Sequence, residues 1–323
     1  MYGPIRLAGY LALLVTPAAL LLGAVRAPPD LHAGAVWVPL GVGLAGTVVA
    51  ATERRRLSRL EGSGLARADA VDALAVAAAA VVTYVLSVRA GLGPVVAAAA
   101  VGLLVGVGLP RIDGPAYCGT FVGMASPAVF PSLEPVAVAG VIAGLAFVAT
   151  AGSFDGFGGK YGTIALFGCI ATVALLDVDY AAASALEPRL APAVVLVAGV
   201  AAVATVALRT RGGASSVVAS AAVGLVAGIA FPSLFPSLGS TLAVVAFCAS
   251  FVGMSGDERL ATTGQVAAAG CLCGLVYFAV APSLSGAGGK LGTTAFASCL
   301  AVAGTLRLPA VVRSRLGRTA SSG

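Results

Sequence analysis

Two stretches of this chain carry the same chemistry: GSFDGFGGKYGT from Gly152 to Thr163 and PSLSGAGGKLGT from Pro282 to Thr293. They hold the only two lysines, Lys160 and Lys290, of a chain that otherwise writes its basic residues as 17 arginines. Consecutive glycines (Gly158 and Gly159, Gly288 and Gly289, then Gly162 and Gly292) can turn their N–H groups toward one point. A helix starting at the lysine adds positive potential, which together make an anion-binding arrangement. Helix stability does not explain the lysines, because the dipole disfavours a cation at a helix N-terminus by roughly 0.3–1 kcal/mol. An ammonium near the bilayer centre costs about 2.5–3.5 kcal/mol on insertion scales, so it needs a role. The expectation is that Lys160 and Lys290 line a permeation path and meet one anionic group from opposite sides. The competing reading has both lysines snorkelling at the membrane surfaces.

Neighbouring residues extend the candidate site. Asp155, replaced by Ser285 in the second copy, is a candidate for proton or sodium coupling; it could equally be an exposed loop acid. Thr163 and Thr293 either face the site or bond back to the helix backbone. A second repeated signal is FVGM, at Phe121 to Met124 and Phe251 to Met254. Pro115, Pro127 and Pro131 bracket the first copy, pointing to a broken or re-entrant helix that ends near the midplane. Phe121, Gly123, Met124, Phe251, Gly253 and Met254 are pore or gate candidates. For the glycines the alternative is close helix packing, and for the methionines it is core filling.

The elements that must position these residues follow from composition. Of 323 residues 59% are hydrophobic and 10% charged, with a mean hydropathy of +1.03. Soluble domains carry about 25% charged residues, so an all-α integral membrane protein is expected, period-two barrel patterning being absent. Twelve spans are predicted, at 7–25, 33–51, 70–88, 93–109, 115–130, 135–152, 161–177, 191–208, 215–231, 239–254, 264–281 and 291–306. The first, 7–25, is read as a span rather than a signal peptide. Six cysteines lie in apolar segments without metal-type spacing; they are read as small hydrophobic residues with reduced thiols. His32 falls in a loop. Abundant alanine, and arginine in place of lysine, point to a prokaryotic gene.

The chain repeats itself. Residues 117–177 align without a gap on 247–307, 130 positions on, with 24 identities in 61; upstream, VVAAAAVGLLVGVGLP (Val95 to Pro110) matches VVASAAVGLVAGIAFP (Val217 to Pro232) at an offset of 122. Two five-helix units follow, 70–190 and 191–308, after two N-terminal helices with a basic loop (1–69) and before a basic tail (309–323). An odd number of helices per unit inverts the second unit in the membrane. The loop ERRRLSRLEGSGLAR after the second span is expected in the cytoplasm by its arginines. Both termini then lie inside, with Arg111, Arg209, Arg211, Arg259 and the tail, while Asp177, Asp179 and Glu187 lie outside; Arg26, Arg89 and Arg189 are exceptions. This architecture is shared by secondary transporters and some channels, whose site lies at the midplane between repeats.

The expected function is a secondary transporter of a small anionic solute, working by alternating access in the cell membrane. A channel or passive facilitator is the alternative. A structural role ranks lower, and an intramembrane enzyme lower still, since clustered nucleophiles, histidines and acidic metal motifs are missing. The lipid bilayer and a small-molecule or ion substrate are the expected partners, with a homo-oligomer allowed. No nucleic acid, cofactor or metal is expected, because membrane topology already accounts for the arginines.

Overall fold

The structure, a computed structural model, describes residues 3–26, 34–57, 66–182 and 185–320. His32, most of the basic loop after the second span, and the side chains of Arg313, Arg315 and Arg318 lie outside that description. The described chain is helical throughout: α1 (Gly3–Val25), α2 (Gly34–Leu57), α3 (Arg67–Tyr84), α4 (Pro94–Gly108), α5 (Asp113–Val122), α6 (Leu133–Ala149), α7 (Lys160–Leu176), α8 (Ala191–Thr210), α9 (Ser216–Leu234), α10 (Gly239–Ser250), α11 (Thr263–Val280) and α12 (Lys290–Ala320). Seven are long and apolar enough to cross a membrane, counting α3 with the wider turn Val85–Arg89 that continues it. The twelve predicted segments correspond to the twelve described helices, of which seven have the length and hydropathy of a full crossing. Helices α4, α6, α7 and α10 are shorter apolar helices, and α5, predicted as a span over 115–130, ends at Val122.

Both FVGM segments break their helices. After α5 the chain leaves the helix at Gly123; after α10 it continues as one tight turn, Val252–Met254. Proline accounts for the first break. The second has no proline nearby, and its freed carbonyls are taken up by a cation instead: Arg209 Nη1 donates to Gly253 O at 2.8 Å and to Ser255 O at 2.7 Å. Satisfying such groups is obligatory where water is scarce.

Helix contacts pair up across the 122 and 130 offsets. α3 packs on α5 and α6 as α8 packs on α10 and α11, and α4 packs on α9. Small residues bring these backbones close, as membrane helices require. A methyl group on Gly106 of α4 would meet Val218 of α9 at 2.7 Å, and one on Gly228 of α9 would meet Val96 of α4 at 2.9 Å. Each helix's start lies beside the other's far end, so α4 and α9 run antiparallel.

The two N-terminal helices are not the peripheral pair that their lack of a repeat copy suggests. α2 lies along α12, and α1 presses Gly9 against Ala149, where an added Cβ would stand 2.2 Å from the carbonyl oxygen. Tyr10 of α1 stacks on Phe154 in the first glycine-lysine loop, with ring centroids 5.6 Å apart and planes 12° apart.

Candidate functional site

The two glycine-lysine motifs meet at the backbone. A Cβ on Gly162 would lie 2.5 Å from Gly292 Cα, and one on Gly292 would lie 2.5 Å from Gly162 Cα. One turn away, Gly159 approaches Phe296 N at 2.5 Å while Gly289 approaches Leu166 N at 2.3 Å, measured from the same built position. The first two turns of α7 and α12 thus overlap antiparallel and the helices then run apart. At 1.5 Å per residue, Leu176 lies ~21 Å beyond the crossing along α7, and Pro309 lies ~26 Å beyond it along α12. Only glycine fits at this crossing. Gly159 (φ 82) and Gly289 (φ 84) also need the left-handed conformation to start their helices.

Local hydrogen bonding settles the threonines. Thr163 Oγ1 donates to Gly159 O at 3.3 Å and Thr293 Oγ1 to Gly289 O at 3.2 Å, and both side chains are fully buried. They bond back to their own helices. Among the other motif groups, Gly158 N–H donates to Ser255 Oγ at 3.1 Å.

The lysines do not converge on one anion, which corrects the expectation drawn from the motifs. Their backbones touch but their side chains enter two separate cavities. The first, of about 230 Å³, is lined by Asp155, Gly158, Gly159, Lys160, Ser216 and Met254. The second, of about 170 Å³, is lined by Pro94, Phe121, Met124, Gly289, Lys290 and Gly292, among others. Position by position these are mates: Ser216 and Pro94 stand 122 apart, Met254 and Met124 stand 130 apart. Each cavity combines the lysine motif of one half with the start of α9 or α4 from the other. Because α4 and α9 run antiparallel, Pro94 and Ser216 mark opposite ends of that pair. Twelve residues of α4 separate Pro94 from Gly106, the neighbour of Val218, which sets the two ends ~18 Å apart.

Phe121, on the wall of the second cavity, belongs to a buried aromatic cluster. Phe121 and Phe251 have centroids 4.7 Å apart; Tyr117 stands 4.6 Å from Phe121, and Phe247 stands 4.8 Å from Phe251. Such tilted and edge-on pairs are favourable beyond their area. Tyr117 Oη, Ser220 Oγ and Ser250 Oγ form a buried hydroxyl chain beside it, with links of 3.0 and 2.8 Å. Gly123 and Gly253 lie outside the cluster. They press α5 onto Thr83 of α3 and the turn after α10 onto Thr205 of α8, the close-packing role.

The charges differ between the cavities. Lys160 Nζ is 2.6 Å from Asp155 Oδ1 and also donates to Thr150 O at 2.9 Å. Lys290 Nζ donates to Ala281 O at 2.6 Å, and among the described residues no carboxylate forms an ion pair with it. Glu134, Asp257 and Glu258 are exposed.

One feature was not legible in the motifs. Arg259, expected in a cytoplasmic loop, is buried: its Nη1 is 2.6 Å from Glu53 Oε1 of α2, its Nε donates to Asp155 O at 2.8 Å, and its guanidinium lies 4.4 Å from the Phe157 ring centre. Glu53 also accepts from Phe154 N–H at 3.3 Å. The pair ties α2, the first motif loop and the α10–α11 loop together. Nothing in the sequence singled it out: Glu53 opens the basic run ERRRLSRLEGSGLAR after the second predicted span and reads there as one more loop charge. All six cysteines are free, and no cluster of metal-ligating side chains occurs among the described residues. Comparison with protein-family models, with curated proteins and with solved structures finds no match.

Proposed function

We propose that the chain is a secondary transporter of a small anionic solute in the cell membrane, built from two inverted five-helix repeats that rock about the α7–α12 crossing. The observation that carries the reading is the pair of mated cavities, each holding one lysine and each reaching a different end of the antiparallel α4 and α9 pair. Antiparallel overlap of α7 with α12, and of α4 with α9, is what two units inserted in opposite senses would produce.

The sign of the solute rests on Lys290. It is a cation at the floor of a largely apolar cavity, and its one hydrogen bond, to Ala281 O, leaves donor capacity for a ligand. Alternating access rather than free flow is favoured by contacts between the halves at both ends. Ser126 N–H donates to Gly286 O and Gly256 N–H to Gly156 O, each at 2.8 Å, so mated loop contacts bridge the two halves on each side.

The test is flux in proteoliposomes with chloride, nitrate and formate as probes. Saturable anion uptake that falls at least about tenfold in Lys290→Gln, the loss of one charge-assisted contact worth about 1.5–3 kcal/mol, supports the proposal. Cation uptake that ignores the anion present overturns it, and flux that never saturates would mean an open pore.

A further inference from the structure

The two lysine cavities share a backbone and differ in one side chain that matters. The motif loops repeat the same unusual conformations: Phe154 (φ 54) with Leu284 (φ 48), Gly156 (φ 80) with Gly286 (φ 79), Gly159 (φ 82) with Gly289 (φ 84). Asp155 and Ser285 therefore stand at the same point of the same turn. Asp155 reaches Lys160, whereas in the other cavity Lys290 has only the Ala281 carbonyl. The main chain of Asp155 is pinned by Arg259 through its carbonyl, but its side chain is 53% exposed while that of Lys160 is 10% exposed. The carboxylate can leave the ammonium for water without moving the loop.

We propose that Asp155 is a built-in counter-anion that occupies Lys160 in place of substrate, so that small monovalent oxyanions of carboxylate size are captured at Lys290 and released from the Lys160 cavity. This rests on the anionic-solute reading above and adds the substrate class and the polarity of the path. A carboxylate carried on the same loop as the ammonium competes as an intramolecular ligand with an effective concentration of order millimolar or more. An anion arriving at Lys160 must displace it, and one arriving at Lys290 displaces nothing charged. Passage from the Lys290 side to the Lys160 side then ends with Asp155 returning to its partner and expelling the anion. Both cavities hold one cation, and Asp155 is the carboxylate that pairs with it in only one of them, although the Glu258 carboxylate also lies close to Gly156 on that side.

The chain's two lysines make the test direct. Purified full-length protein in detergent is acylated with acetic anhydride and the two lysine peptides are followed by mass spectrometry. The probe is sodium formate, with sodium gluconate as the bulky control at equal ionic strength. In the native protein formate is expected to slow acylation of Lys290 severalfold and leave Lys160 unchanged. In Asp155→Ser, which installs the residue the second loop already uses, formate should slow both. Asp155→Asn serves as a second variant that keeps the side-chain shape. If formate protects Lys290 but still not Lys160 in both variants, or protects Lys160 in the native protein, the counter-anion role is overturned while the anionic-solute reading stands. If formate protects neither lysine in any of the three proteins, the anionic-solute reading itself fails and takes this inference with it.

Discussion

Glu53 and Arg259 form a buried ion pair that is expensive to break. Two charges removed from water recover their desolvation only in each other's company, and taking away one partner leaves an uncompensated buried charge, at about 3–5 kcal/mol. Arg259→Ala is therefore expected to lower the thermal unfolding temperature in detergent far more than any surface arginine variant such as Arg189→Ala, whose ion pair with Glu187 is exposed. The double variant Glu53→Gln/Arg259→Gln should cost less than the sum of the singles, because both remove the same pair; strict additivity would mean the two charges act separately. At the crossing, Gly162→Ala places a methyl group where Gly292 Cα stands. Overpacking of this kind costs about 1–3 kcal/mol or more, so its yield of monodisperse protein should fall well below that of Gly41→Ala, whose added methyl meets nothing within 4 Å.

Helices α5 and α10 end inside the molecule and present their aromatic rings to each other, so the cluster that Phe121 joins on the wall of the second cavity is a product of two broken elements. Phe121→Ala and Phe251→Ala each remove a fully desolvated ring, at about 3–5 kcal/mol, and each should convert saturable anion flux into leak, whereas Phe121→Leu should keep it saturable. Unchanged flux in both alanine variants would place the permeation path elsewhere. How far these elements could be read in advance depended on the kind of signal. The lysine motifs were legible because identity at a fixed offset exposes equivalent positions, and the break after α5 was legible through Pro127 and Pro131. The break after α10 was not, since Arg209, 44 residues away, accepts the role that proline plays in the first half. The direction in which each lysine side chain points was invisible too: spacing located Lys160 and Lys290 at one crossing, while rotamer and neighbouring backbone sent them into different cavities. Glu53 was hidden among the arginines of a basic loop, and its partner lies 206 positions on, beyond any periodic pattern.

For the whole molecule the decisive property is whether its halves lie in the membrane in opposite senses. Arg89 and Arg211 are mates at the 122 offset, both exposed, each at the end of a long helix. With Arg89→Cys and Arg211→Cys introduced separately, an impermeant maleimide applied to intact cells should label position 89 and reach position 211 only after permeabilisation; the native protein gives the background from its own thiols. Labelling of both from the same side would rule out inversion. Loss of α1 and α2 is a second global test. Their removal strips Arg259 of Glu53 and uncovers Phe154, so a chain beginning after residue 57 should not yield a folded core, however self-contained the repeats look in sequence.

The antiparallel seat of α7 against α12 also fixes an order of events during synthesis. Gly159 and Gly162 emerge from the ribosome some 130 residues before the backbone that covers them, which belongs to α12. Until α12 arrives, the glycine face of α7's starting turns is uncovered although α5 and α6 already hold its other side through Cys118 and Phe147 on Tyr161, and no earlier helix can substitute, because only a second glycine face approaches so closely. A nascent protein halted before Lys290 would carry an open seam at its centre, which makes the arrival of α12 the step at which membrane quality control could tell a finished molecule from an arrested one.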